Sequence, residues 1–148
     1  MEFTIRVAEA GDVPAIVALL ADDPLGAKRE SPGDPAYLAA FGDISSDPRQ
    51  VLVVADVGGQ VVGTLQLTCT PGLSRMGTTR ATIEAVRVRS DQRGRRLGER
   101  LVRWAIDEAR RRGCGVVRLT TDASRVDAHR FYQRLGFTAS HVGMKLGL

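Results

Sequence analysis

Residues 92–99, Gln-Arg-Gly-Arg-Arg-Leu-Gly-Glu, place three arginines and two glycines where a strand-like run gives way to a helix-like one. The first turn of a helix has N–H groups without intrahelical partners, and the helix dipole favours negative charge there. Guanidinium forks suit phosphate oxygens. Gly94 and Gly98 have no Cβ and let backbone approach a ligand closely. The expected chemistry is therefore the binding of a phosphate-bearing cofactor. Two common phosphate motifs do not fit. No Lys-Ser/Thr follows Gly98, which excludes the P-loop pattern. The dinucleotide fingerprint G-x-G-x-x-G is absent too, and the loop comes late in the chain rather than after the first strand.

Other reactive side chains are few. Glu84 is a lone carboxylate in Ile83-Glu84-Ala85-Val86. Regular alternation sets Glu84, Val86 and Val88 on one face of a strand. Burial among apolar neighbours would raise its pKa toward that of a useful base. His129 and His141 are weaker candidates, each read as a surface or packing residue. Cys69 and Cys114 show no metal spacing and read as reduced, inert thiols of a cytosolic protein. No metal site is expected.

These groups are positioned by an alternating set of elements. Thr4–Ala8 reads as a strand, followed by a helix through Ala21 with Asp12 as N-cap. Residues 22–36 hold three prolines and read as a long, mobile connection, with a short helix around Pro35–Phe41. Val51–Val57 and Gln60–Thr68 flank Gly58-Gly59, a strong hairpin signal. Thr79–Val88 is a long β-branched strand. Leu97–Arg112 has the clearest 3.6-residue period, with Gly113 as its C-terminal stop. Val116–Thr121 is a short strand, Val126–Leu135 a helix stopped by Gly136, and Phe137–Leu146 a final strand bent near Gly143. The order predicts a mixed-sheet α/β (α+β) protein forming a single domain over residues 1–148.

Composition is that of a globular chain: 148 residues, 43% hydrophobic and 26% charged. No apolar run approaches membrane-spanning length and no secretory signal precedes the first strand, so a cytoplasmic protein with no membrane partner is expected. The net charge of +4 is carried almost wholly by arginine. The arginines concentrate beside the glycine-rich loop, and Arg110–Arg112 suit the negative end of a helix dipole. The interleaved aromatics of single-strand binders are missing, so nucleic acid is not the expected partner. The loop carboxylates Asp22, Asp23, Glu30, Asp34 and Asp43 read as solvated charges.

Two stretches together resemble the GNAT N-acetyltransferase superfamily. Arg93-Gly94-Arg95-Arg96-Leu97-Gly98 is similar to its acyl-CoA pyrophosphate loop, R-G-x-G-x-G, with Val86-Arg87-Val88 on the preceding strand. Ala128-His129-Arg130-Phe131-Tyr132-Gln133-Arg134-Leu135-Gly136-Phe137 resembles its second signature, A-x-x-F-Y-x-x-x-G-F. The resemblance implies a mostly antiparallel central sheet, splayed at a V-shaped acyl-CoA cleft and flanked by about four helices. It implies acetyl-CoA as co-substrate, with no metal. The pyrophosphate would be held by backbone N–H groups of residues 93–98, and the pantetheine by the backbone of Val86 and Val88. Tyr132 would be the acid that protonates the departing thiolate and would contact the cofactor, and Glu84 the base. The reaction implied is direct acetyl transfer in a ternary complex to a primary amine of a small molecule. The alternatives are a protein N-terminal or lysine acceptor, or a non-catalytic acyl-CoA-binding or regulatory module. A homodimer is expected by analogy only. Two departures stand out. Arg96 replaces the loop's middle glycine, whose N–H donors survive if residue 96 takes helical angles. Arg125 replaces a common asparagine, and could reach a CoA phosphate instead.

Overall fold

The structure is a computed structural model that describes residues 2–148. Five strands form one sheet in the order β1-β2-β3-β4-β5. They are β1 (Thr4–Val7), β2 (Gln50–Val57), β3 (Gln60–Thr70), β4 (Arg80–Val88) and β5 (Val116–Leu119). Strands β1 to β4 pair antiparallel, and β5 joins β4 in parallel. The helices are α1 (Val13–Ala21), α2 (Gly26–Arg29), α3 (Ala36–Ser45), α4 (Ser74–Gly77), α5 (Leu97–Arg111) and α6 (Val126–Arg134). Helices α2 and α4 are single turns, and α4 contains left-handed backbone at Arg75 and Met76. The other four have nine residues or more. The expected mixed, mostly antiparallel sheet with about four substantial helices is what forms.

Hydrophobic periodicity accounts for the layers. Gly58 and Gly59 take φ of 57° and 87°, the geometry a two-residue hairpin between β2 and β3 requires. Val53 and Ala55 of β2, Leu65 and Leu67 of β3, and Ala81 and Ile83 of β4 pack against one stripe of α5. That stripe is Leu97, Leu101, Val102, Ala105 and Ala109, all buried, as the 3.6-residue period dictates. Parallel pairing of β4 with β5 needs a crossover, and α5 is that crossover. The opposite sheet face is more thinly covered, by α1 and α3 over Val54. Among the described residues no helix is long and apolar enough to cross a membrane.

Asp12 does stand at the N-cap of α1, but its carboxylate does not cap that helix. It accepts hydrogen bonds from Arg6 Nη1 (2.8 Å), Arg6 Nη2 (2.9 Å) and the Glu9 N–H (2.7 Å). Arg6 Nε also donates to Asp56 at 3.0 Å, tying β1, β2 and α1 together. The Arg6 hydrogen bonds outweigh burial and hold the Asp12 carboxyl below the usual range. A folded-state pKa depressed in this way gives stability that is present above the unfolded value, about 4, and lost as pH falls through the folded one. Arg6 is partly exposed, so Asp12→Asn should cost about 1–2 kcal/mol at neutral pH. Urea melts from pH 7 to pH 2 should show wild type and variant converging at the acid end.

Three sequence expectations are corrected. Residues 22–36 are not one open loop: α2 lies within them. Asp23 accepts the Gly26 N–H at 2.5 Å, and Tyr37 Oη meets Glu30 at 3.0 Å and the Ser31 N–H at 2.9 Å. Helix α3 runs ten residues, Ala36–Ser45, beyond the short helix expected around Pro35–Phe41. Residues 138–148 form no strand and are exposed, although Phe137–Leu146 has a strand-like composition. A lone extended segment needs a neighbouring strand to satisfy its backbone, and β5 pairs only with β4 among the described residues.

Candidate active site

Strand β4 carries a bulge. Gln66 faces Glu84 and Thr64 faces Arg87, so three steps on β4 oppose two on β3. Ala85 absorbs the extra residue with φ of 53°. Before the bulge the odd-numbered Ala81 and Ile83 face α5; after it the even-numbered Val86 and Val88 pack on that side. Glu84 and Arg87 therefore share the opposite face, across from Gln66 and Thr64. Glu84 does not lie on one face with Val86 and Val88, because the alternation is interrupted between them. Nor is Glu84 buried: it is exposed, so the expected desolvation is missing.

Pairing between β4 and β5 ends at Ile83 with Leu119. Beyond that point β4 continues to Val88 with no β5 partner. Strand β5 itself ends at Leu119, so that edge of β4 has no strand partner over residues 84–88 and its backbone groups there are not used by β5. At the end of β4 lies a cleft of about 550 Å³ lined by Val88, Gly94, Arg96, Gly98, Phe131 and Arg134, among others. Its floor is the N-terminus of α5. Arg93 and Leu97 also line it, whereas Arg95 does not.

The two loop glycines serve different needs. Gly94 has φ of 83° with open space around its Cβ position, so its role is conformational. Gly98 lines the cleft, where a Cβ would sit 3.7 Å from Phe131 and Val88. Arg96 does not take ordinary helical angles. Its φ of 60° and ψ of 19° are left-handed, the conformation a glycine at that position would adopt freely. Arg96→Gly should leave stability unchanged or raise it by up to about 1 kcal/mol, because the strain is relieved. Arg96→Val should lower it by about 1–2 kcal/mol, since a β-branched residue resists positive φ. Urea denaturation of both variants checks the contrast.

Tyr132 is half-buried on α6, held by edge-on contacts to Phe131 (centroids 5.0 Å apart) and Phe137 (5.8 Å). Burial raises its phenol pKa, and the nearby Arg87 and Arg125 pull it part of the way back. Arg125 is not free to reach toward a phosphate. Its Nη2 is 2.5 Å from Asp23 Oδ2, and Asp23 lies 3.3 Å from Arg87 Nε. Burial alone would raise the Asp23 carboxyl; the Gly26 N–H, Arg125 and Arg87 hold it below its usual range. Asp23 is thus a site-building residue and not a solvated loop charge. Arg134 and Phe131 also line the cleft, and the sequence pointed to them only as members of the second signature. His129 Nε2 donates to the Asp122 carbonyl (3.1 Å), His141 Nδ1 hydrogen-bonds with Ser140 Oγ (2.7 Å), and both are off the cleft.

The sequence pattern of the acetyltransferase (GNAT) family matches residues 13–137. The chain belongs to the GNAT acetyltransferase family. It is similar to the aminoalkylphosphonate N-acetyltransferase of Salmonella typhimurium, 34% identical over 106 residues, 72% of this chain and 68% of that protein. The L-methionine sulfoximine/L-methionine sulfone acetyltransferase of Pseudomonas aeruginosa is 32% identical over 99% of this chain and 89% of its own length. A crystal structure described as a transcriptional regulator from Bacillus halodurans C-125 superposes with a TM-score of 0.96. It is 49% identical and covers 99% of this chain and 100% of that one. Membership makes the chain an acetyl-transferring enzyme.

Proposed function

We propose that the protein transfers an acetyl group from acetyl-CoA directly to the primary amine of a small molecule, in a ternary complex. The observation that carries this reading is the continuity of the open β4 edge at residues 84–88 with the cleft at the start of α5. In this reading the backbone N–H groups of residues 93–98 hold the CoA pyrophosphate, helped by the α5 dipole. Arg93, Arg96 and Arg134 supply positive charge around it, and Val86 and Val88 pair with the pantetheine as an added strand would. A β4 N–H acts on the thioester oxygen as charge develops. Tyr132 gives its proton to the leaving thiolate. Glu84, exposed beside the bulge, removes the amine proton through water. The named substrates of the Salmonella and Pseudomonas relatives support a small-molecule acceptor in preference to a protein amine.

The test is thiol release from acetyl-CoA across a panel of small amines, with mass spectrometry of the acetylated product. Turnover of a small amine, absent with N-terminal peptides and lysine peptides, is the expected result. Silence across the panel despite measured CoA binding would favour a non-catalytic regulatory module, the kind of role by which the Bacillus halodurans structure is described.

A further inference from the structure

Ten large hydrophobic side chains stand exposed among the described residues, and seven of them belong to one edge of the sheet and the tail beside it. Four are in the tail: Val142 (85% exposed), Met144 (92%), Leu146 (86%) and Leu148. Val116 is on β5, and Leu73 and Met76 are at the α4 turn. The Gly115 N–H donates to the Thr79 carbonyl at 2.9 Å, which sets the end of that turn against the start of β5. Single apolar residues scattered over a surface need no explanation, but a run of them along one edge does.

The tail has the pattern of a strand with one face to bury. Val142, Met144, Leu146 and Leu148 alternate with Gly143, Lys145 and Gly147. Yet among the described residues it pairs with no strand. Strand β5 has the complementary lack. It is the last strand of the sheet, bonded to β4 on one side and open on the other. Its four residues, Val-Val-Arg-Leu, include one charge and no proline, which is little protection for a free edge. Tail and edge approach each other only at the root of the tail. A Cβ on Gly143 would lie 3.6 Å from Thr120, one residue past the end of β5. The residues beyond Gly143 stay exposed.

We infer that two copies of this chain exchange their C-terminal arms, residues 138–148 of each adding as a strand to the open edge of β5 in the other. Each copy brings both an unpaired strand and an unpaired edge, and one two-fold axis satisfies both. A different partner would cover the edge and leave the arm bare. The strand-like composition that finds no neighbour within the chain finds one in the second copy, and the arm's apolar face covers Val116 and the α4 turn. Reciprocity doubles the interface. The arm, the four residues of β5 and the α4 turn of each copy approach the roughly 20–30 residues a side of a stable interface. The homodimer implied only by resemblance thus acquires a surface, and the inference does not depend on which amine is acetylated.

Sedimentation equilibrium of the full chain should give twice the chain mass at about 50 μM, within the affinity range of interfaces of this size. Met144→Glu combined with Leu146→Glu should weaken dimerisation at least about 100-fold, because two apolar anchors become charges. Far-UV circular dichroism should show the fold kept, since both side chains are exposed in the single chain. Val116→Glu, on the receiving edge, should weaken the dimer as well. Exchange itself is read from mixed copies. Isotopically heavy and light chains, each with a benzophenone side chain in place of Met144, are refolded together and irradiated. Arm peptides linked to β5 or to the α4 turn should include heavy–light pairs. A monomer at that concentration overturns the inference, as does a dimer that the arm substitutions leave intact. Links confined to like isotopes would show each arm folded back on its own β5 and would overturn it too.

Discussion

Tyr132→Phe should lower kcat by about 10²–10³-fold and leave CoA affinity nearly unchanged. The substitution removes only the hydroxyl. The ring keeps its edge-on contacts to Phe131 and Phe137, so the packing that positions α6 survives. What is lost, on the proposed mechanism, is the proton donor for the leaving thiolate. Burial raises the phenol's pKa, and Arg87 and Arg125 only partly offset that, so the proton is present at neutral pH. An acid is active only while protonated. Wild-type turnover should therefore fall as pH rises through the raised phenol pKa, above the ordinary value of about 10. That alkaline limb should be missing from the variant's residual rate. Thiol-release kinetics across pH, with CoA titration by calorimetry, make the measurement. An unchanged kcat would remove Tyr132 from the chemistry and leave it as a packing residue.

The second large effect is expected at Gly26. Its φ is unremarkable, but it is buried, and a Cβ there would overlap the Leu20 carbonyl oxygen. A backbone carbonyl inside the chain turn cannot swing aside as a side chain would. Gly26→Ala must push α2 away from the end of α1. That movement would also break the hydrogen bond from the Gly26 N–H to Asp23, and Asp23 is what holds Arg87 and Arg125. A loss of about 2–4 kcal/mol in unfolding free energy is expected. In the folded fraction, KM for the acceptor should rise at least about tenfold while KM for acetyl-CoA stays nearly constant, because the cleft at α5 is untouched. Stability and both KM values within about twofold of wild type would show that the α1–α2 connection is not tied to the site.

The sequence showed the elements whose signals are local. The α5 stripe, the Gly58-Gly59 hairpin and the order of strands and helices could be read because periodicity and turn residues act within a few positions. The glycine-arginine loop at the start of α5 was equally legible as a loop, since Gly94, Gly98 and the helix start are contiguous. What escaped depends on distant or single events. The bulge at Ala85 has no sequence mark: alanine is not a residue that advertises positive φ, and one inserted position moved Glu84 to the other face from Val86 and Val88. Asp23 looked like one of several solvated carboxylates because its partners, Arg87 and Arg125, are far along the chain. Arg96 kept the loop's shape by accepting the left-handed conformation itself, which residue type argues against. The strand expected over 137–146 had the right composition, but strand formation needs a neighbour that composition does not supply.

Direct transfer is tested most sharply by initial rates with acetyl-CoA and a free amine acceptor varied together. Attack of the amine on a thioester held at the open edge of β4 requires both substrates to be bound at once. Double-reciprocal plots should then intersect, and protein incubated with acetyl-CoA alone should carry no acetyl group. Parallel lines, with a stoichiometric acetyl-enzyme isolated before acceptor is added, would contradict it and point to a covalent relay through a side chain.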